Sequence, residues 1–219
     1  MGILVGEKKI VGNGLVFCVD AKNKQSYTGS GTTWNDLIKS NNGTLTNGTA
    51  YNANGYMTFD GTNDFSTHGN DSSVQLNHKT AAVWIRPHSL HNTTFFGRDN
   101  GTNRQWWLYF GSNGQIWWWD DTTDGTSTGT SAYSANVWTH ICGTYDGTNM
   151  TLYKDGAQVS QTARTGTTAS GTAALNIGNR DNNDRHLDGD IGCVHLYNRG
   201  LSAAEVLQNF NAQRARFGI

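Results

Sequence analysis

The sequence predicts an all-β fold, a two-sheet antiparallel sandwich closed by one short α-helix at its C-terminal end. Three observations carry this prediction. Tight-turn signals recur at short intervals. The runs between them alternate with a period of two. Only one stretch, at the end, has helical spacing.

The turn signals are Asn13-Gly14, Asn54-Gly55, Asp60-Gly61, Asp146-Gly147 and Asp155-Gly156. Such pairs supply the positive φ angles that hairpin turns need. The strand-like runs are Leu15 to Val19, Tyr56 to Phe59, Thr80 to Arg86, Gln105 to Gly111, Gln115 to Trp119, Trp138 to Tyr145, Met150 to Lys154, Ala174 to Ile177 and Asp190 to Tyr197. In the third run Ala81, Val83 and Ile85 share one face, and Ala82, Trp84 and Arg86 share the other. Pro87 ends it, because proline cannot donate to a ladder. This many short strands argues for a sandwich.

The predicted helix spans about 202–214. Ser202-Ala203-Ala204-Glu205 reads as a capping box, and Val206, Leu207 and Phe210 then fall on one face. No linker interrupts the chain, so the organisation expected is an N-terminal arm, 1–13, and one domain, 14–219. A length of 219 residues suits a single large sandwich.

Composition narrows the function. A formal net charge of −1 gives no electrostatic footprint for nucleic acid or an anionic membrane. No apolar run approaches the length of a membrane span. The start, Met1 to Lys9, lacks a basic segment followed by an apolar one, so no secretory signal is expected and synthesis in a cytosol is. The three cysteines, Cys18, Cys142 and Cys193, lie inside strand-like runs and predict buried thiols, with a single disulfide as the other arrangement.

Several segments together resemble laminin-G-like, concanavalin A-like domains. They are Gly14 to Ala21, Phe59-Asp60-Gly61-Thr62-Asn63-Asp64-Phe65, Ala82 to Pro87, Trp138-Thr139-His140, Tyr145-Asp146-Gly147, Leu152 to Gly156, Leu187 to Ile191 and Leu196 to Ser202. The resemblance runs from about Gly14 to the C-terminal end. It implies a jelly roll of two curved sheets, in a family whose members often bind sugars, many with calcium. Ser26 to Leu37 and Gln208 to Gly218 are similar to domains of tailed-bacteriophage structural proteins, which implies a virion surface location after folding in a host cytoplasm.

Three groups of residues are candidates for function. The first is an aromatic strip, Trp106, Trp107, Tyr109, Trp117, Trp118 and Trp119, with Arg98 and Asn103 as polar rim groups. Sugars present apolar C–H faces, so aromatic platforms can stack on them, as they do on bases. Alternation sends some rings inward and some outward. A ligand groove, a partner interface and a core filled from both faces each satisfy the pattern.

The second group is a pair of polar loops, Arg98-Asp99-Asn100 and Asn179 to Asp184. Both positions resemble the calcium loops of pentraxins, a related jelly roll, and the resemblance implies Asp99, Asn100 and Asp181 as metal ligands. Asn179 and Arg180 depart from that more acidic pattern, and calcium favours six to eight oxygens with several carboxylates. Asx turns, in which these side chains bond their own backbone, are the other reading. The third group, Asp120-Asp121-Thr122-Thr123-Asp124-Gly125, reads as a cation loop or a solvated turn. His88 and His91 are close in sequence, but no third zinc ligand accompanies them. His140 and His195, in strands, read as packed residues.

Catalysis is not expected. Glycosidases of this kind need two carboxyl groups at a set separation. The only glutamates, Glu7 and Glu205, lie near the ends of the chain, and Asp188-Gly189-Asp190 is the nearest acidic pair. No serine elbow or phosphate loop is present. The expected function is a non-catalytic, lectin-like virion surface module, in capsid decoration or a tail or fibre, that binds glycans or adheres to a surface. Its expected partners are other virion proteins, its own copies and cell-surface glycans, without nucleic acid or membrane insertion. No cofactor is required, and Ca2+ is the one that the loops suggest. Two other readings stay open: a purely structural capsid cement protein, and a polysaccharide-active hydrolase or lyase.

Overall fold

The structure is a computed structural model that describes residues 9–112, 114–121, 126–131, 133–180 and 185–219. Two antiparallel sheets face each other. In the first, the order is β14 (Ala157–Ala163), β13 (Asn149–Lys154), β12 (Thr139–Tyr145), β7 (Lys79–Pro87), β16 (Asp188–Tyr197), β5 (Tyr56–Asp60) and β4 (Ala50–Asn52), with β1 (Leu15–Asp20) also paired to β16. In the second, it is β11 (Thr126–Ser131), β10 (Gln115–Asp120), β9 (Arg104–Phe110), β8 (Thr93–Asp99), β15 (Asn176–Ile177), β6 (Phe65–Thr67), β3 (Gly43–Thr46) and β2 (Thr33–Trp34). This is the sandwich that the turn spacing and the strand periods predicted, in the jelly-roll form that the family resemblance implied.

The core lies between the sheets. Val83, Ile85, Ile141 and Leu152 from the first sheet meet Phe96, Trp106, Leu108, Trp118 and Ile177 from the second, all fully or almost fully buried. Each such side chain contributes roughly 1.5–3 kcal/mol through removal of apolar surface from water. Gly143 of β12 admits the largest of them: a Cβ there would stand 2.5 Å from Cδ2 of Trp118.

The alternation of β7 divides its side chains as expected. Ala81, Val83 and Ile85 join the inter-sheet core, while Ala82 and Trp84 face the other way into smaller clusters. Helix α1 (Ala203–Gln213) covers that outer face. Ser202 and Glu205 form both bonds of the capping box. Phe210 stacks on Trp84 at 5.6 Å, and Phe217, from the 3-10 turn Arg214–Phe217, stacks at 4.3 Å. The end of the N-terminal arm docks here too, with Val11 N–H donating to Asn209 Oδ1 at 2.8 Å. The three cysteines are free and buried, and burial pushes the Cys18 thiol up to about 12.

One ionic cluster is sealed inside. Lys79 from the first sheet and Asp120 from the second, both with no exposed side-chain surface, pair at 2.5 Å. Arg164 joins Asp120 at 2.8 Å, and the Arg164 guanidinium lies 3.9 Å from the centre of the Tyr145 ring. Among the described residues no helix is long and apolar enough to cross a membrane.

Candidate functional site

The antiparallel pairing of β9 and β10 sets Trp119 opposite Trp107 and Trp117 opposite Tyr109. Trp106, Leu108, Phe110, Ile116 and Trp118 belong to the core, so alternation turns the other four rings onto the outer face of the second sheet. They form two stacked pairs. Trp107 and Trp119 lie 5.3 Å apart with planes at 21°, and Tyr109 and Trp117 lie 6.1 Å apart at 11°. Tyr109, Trp117 and Trp119 are half-buried, whereas Trp107 is only 4% exposed. Arg185 adds a cation 6.0 Å from the Tyr109 ring centre.

A polar row continues from this ladder. Trp107 pairs with Gly97, Gly97 with Asn176, and Asn176 with Thr67. Leu175 and Ile177 are core residues, so Asn176 faces outward with the ladder. Gly97 places no side chain between Trp107 and Asn176. Asn176 is 1% exposed, yet neither atom of its amide has a hydrogen-bond partner. Thr94 Oγ1, Asn179 Oδ1 and the indole N–H groups of Trp107 and Trp119 are also buried without partners. The Arg180 guanidinium pairs with Asp99 at 2.7 Å, tying the segment after β15 to the end of β8.

Four sequence-predicted positions lie elsewhere. Trp106 is 1% exposed and packs edge-on against Phe96 at 5.2 Å, so it is a core residue and not a surface one. Trp118 is likewise in the core. Arg98 is fully buried, because its guanidinium donates to the carbonyls of Val74 and Ala173 and to Asn70 Oδ1. It braces the loops at that end of the sandwich and cannot serve as a rim group. Asn103 is exposed at the turn between β8 and β9. Among the positions that the strip suggested, the structure therefore brings together Trp107, Tyr109, Trp117 and Trp119.

The proposed calcium ligands do not form an oxygen cage among the described residues. Asp99 Oδ2 is held by Arg180, and Asp99 Oδ1 accepts from Gly101 N at 2.7 Å. Asn100 Oδ1 accepts from the backbone N–H groups of Thr102 and Asn103, at 3.1 and 2.6 Å. These are the bonds of Asx turns, and the Arg180 cation neutralises the carboxylate that calcium would use. Asp181 lies outside the described residues. Among those described, no group of three or more His, Cys, Asp or Glu side chains is placed to hold a metal.

In the third candidate group, Asp120 is buried in the ion cluster, and 122–125 lie outside the described residues. His88 bonds Asp188 and Asp190 at 3.1 and 2.9 Å, and His91 bonds Ser89 and the His186 carbonyl, both at 2.9 Å. Asp190 also holds Arg86 at 2.7 Å and accepts from Thr58 at 2.7 Å. Both carboxylates beside His88 are thus engaged on the first sheet, away from the aromatic ladder. Glu205 pairs with Arg199, whose hydrogen bonds pull its carboxyl down to about 2.

Sequence periodicity missed Thr94, Gly97, Asn176 and the Asp99–Arg180 pair. One sign of Asn176 was legible, since a lone amide between Leu175 and Ile177 must leave the core.

Comparison with known proteins agrees with this architecture. The family model described as concanavalin A-like lectin/glucanases superfamily matches residues 59–207. Among solved structures, Trypanosoma rangeli sialidase in complex with sialic acid superposes with a TM-score of 0.69 at 16% identity, over 93% of this chain and 33% of that one. The receptor binding domain of botulinum neurotoxin mosaic serotype C/D gives 0.68 at 14%, over 91% and 51%. Domain 4 of an extracellular arabinanase from Geobacillus stearothermophilus, in complex with arabinotriose, gives 0.64 at 18%, over 89% and 97%. The chain thus spans about a third of the sialidase. No curated protein matches.

Proposed function

Since the chain belongs to the concanavalin A-like lectin/glucanase superfamily, we propose that it is a non-catalytic saccharide-binding module whose ligand stacks on the outer face of the second sheet. One observation carries the reading. Tyr109, Trp117 and Trp119 stand half-buried on that face, in two stacked pairs that Trp107 completes. Aromatic faces meet the C–H groups of a sugar ring, and polar groups at their edge fix its orientation. The fold alone does not decide function. Two structural neighbours are described in complex with saccharides, sialic acid and arabinotriose, which is consistent with the same chemistry.

The absence of catalysis is part of the proposal. Its support is that Asp99, beside the ladder, is paired with Arg180 and is not a free carboxyl of the kind that glycoside hydrolysis uses. The location that we propose is a phage virion surface, in a capsid decoration or a tail or fibre. Its support is the similarity of Ser26 to Leu37 and Gln208 to Gly218 to phage structural domains.

A glycan array probed with the wild-type chain, with and without calcium, tests the reading. Binding that falls at least tenfold in Trp117→Ala and Trp119→Ala supports it. Equal binding by these variants, or product release from a polysaccharide, sinks it. Absence of glycan binding together with self-assembly in light scattering replaces it with the cement reading.

A further inference from the structure

We propose that the outer face of the first sheet carries a second binding site, a cavity beside Arg86 that takes the carboxylate of a hexuronic acid. The cavity lies on the other side of the sandwich from the aromatic ladder and does not depend on it.

The site begins with the alternation of β7. Ala82, Trp84 and Arg86 leave the inter-sheet core on one face. Phe210 and Phe217 cover Trp84, whereas 29% of the Arg86 side chain stays exposed. A cavity of about 180 Å3 opens there, lined by Arg86, Arg216, Asn54, Tyr56, Trp138 and Phe217. Drug-sized ligands take pockets of roughly 300–1,000 Å3, so this one suits a single ring.

Arg86 is held in place from behind and from both sides. Its Nε and Nη2 donate to Asp190 Oδ2 at 2.8 and 2.7 Å. The Asp190 side chain is 1% exposed and is itself fixed by Thr58 and His88. The guanidinium carbon lies 5.0 Å from the centre of the Tyr56 ring and 5.2 Å from that of Trp138. These two half-buried rings meet edge-on at 5.6 Å. Trp138 packs on Phe217 at 4.7 Å, and Phe217 fits over Gly192, where a Cβ would stand 2.4 Å from its ring. A guanidinium clamped in this way loses little freedom when it bonds a ligand.

The lining supplies donors and no acid. Asp190 occupies only the Nε–Nη2 edge of Arg86, so the guanidinium keeps N–H groups for a ligand oxygen. The Trp138 indole is a donor only. Arg216 binds both oxygens of Asp20 at 2.7 and 2.8 Å, and neither Asp20 nor Asp190 lines the cavity. Each cation is therefore balanced by one aspartate behind it. A carboxylate adds a single negative charge to this set, whereas a phosphate monoester would add nearly two. The Tyr56 and Trp138 rings meet the C–H face of a sugar, as aromatic platforms do. A ring with one apolar face and one carboxylate answers both features, and a hexuronic acid is such a ring.

The test uses the full chain as wild type, Arg86→Lys, Trp138→Leu and Trp119→Ala. The probes are methyl glucuronide, methyl glucoside, benzoate and glucose 6-phosphate. Titrations follow the indole N–H resonance of Trp138, assigned by its loss in Trp138→Leu, and thermal melting checks the fold of each variant. Wild type is expected to bind methyl glucuronide at least roughly tenfold more tightly than methyl glucoside, with movement of the Trp138 resonance. Arg86→Lys keeps a cation beside Asp190 but loses the planar fork, and should bind the glucuronide about 10- to 100-fold more weakly. Trp138→Leu should also lose the preference, and Trp119→Ala should keep it.

Equal affinity for glucuronide and glucoside overturns the proposal. So does a Trp138 resonance that the glucuronide leaves unmoved, or a preference that both Arg86→Lys and Trp138→Leu retain. Benzoate binding as tight as the glucuronide overturns the sugar, and tighter binding of glucose 6-phosphate overturns the carboxylate. Loss of glucuronide binding in Trp119→Ala moves the ligand to the ladder and overturns the second site.

Discussion

The indole of Trp117 lies flat across Gly129 of the neighbouring strand, close enough that a Cβ on the glycine would stand 2.5 Å from Cε3 of the ring. The bare glycine leaves the space that the ring occupies while it stacks on Tyr109 at 11°.

Gly129→Ala should therefore disturb the ladder more than the fold. Gly129 is half-buried on β11, at the end of its sheet, and its φ is not in the left-handed region. The expected outcome is a melting temperature within a few degrees of wild type, an altered near-ultraviolet tryptophan signal and roughly tenfold weaker saccharide binding, given the strain of about 1–3 kcal/mol that overpacking imposes. Unchanged binding with an unchanged tryptophan signal would remove Trp117 from the site.

Gly143→Ala tests the same geometry inside the core. There the Cβ would meet Trp118, which has no exposed surface and whose Nε1–H donates to the Thr144 carbonyl at 3.2 Å. Because the ring is fully enclosed and must shift to admit the methyl group, a loss of about 1–3 kcal/mol is expected in urea unfolding.

The Lys79–Asp120–Arg164 cluster joins the two sheets through charges that water does not reach. Asp120→Asn leaves two cations without their counter-ion and should cost about 3–5 kcal/mol. Lys79→Met combined with Asp120→Asn should cost less than the sum of the two single changes, because the partners are removed together. A double-mutant cycle that shows simple additivity would contradict the coupling.

Three histidines set the acid limit. Burial pushes His68 and His195 down to about 4, and burial with the neighbouring His195 pushes His140 down to about 3. In the unfolded chain each binds a proton near pH 6.5. Between these values the unfolded state holds more protons than the folded one, so stability is full above about pH 6.5 and is lost as the pH falls toward 4. The slope approaches three protons, about 4 kcal/mol per pH unit at its steepest. Urea midpoints measured from pH 7 to 4 check this. Replacement of His140 by Phe, which keeps a ring against Trp84 and Phe210, should flatten the curve.

The strands, their turns and the capped helix were legible because they depend on local chemistry. Asn-Gly and Asp-Gly pairs fix turns, β7 divides its faces by alternation, and Ser202 with Glu205 starts the helix. The aromatic strip was legible as a strip, but which rings stay out was not. Trp106 and Trp107 are adjacent and chemically identical, and only the position of the opposing sheet makes one a core residue and the other part of the outer face. Arg98 looked like a rim residue because it lies in the polar segment that precedes the tryptophan strand. Its burial follows from the carbonyls of Val74 and Ala173, which are distant in sequence.

By itself the amino-acid order determined an all-β sandwich with a terminal helix, since period and turn residues act over a few neighbours. Tertiary structure alone decided that Gly97 lies between Trp107 and Asn176, that Arg180 takes Asp99, and that Lys79 meets Asp120. These are contacts across strands and between sheets, and pairing register and sheet packing, not local sequence, fix them.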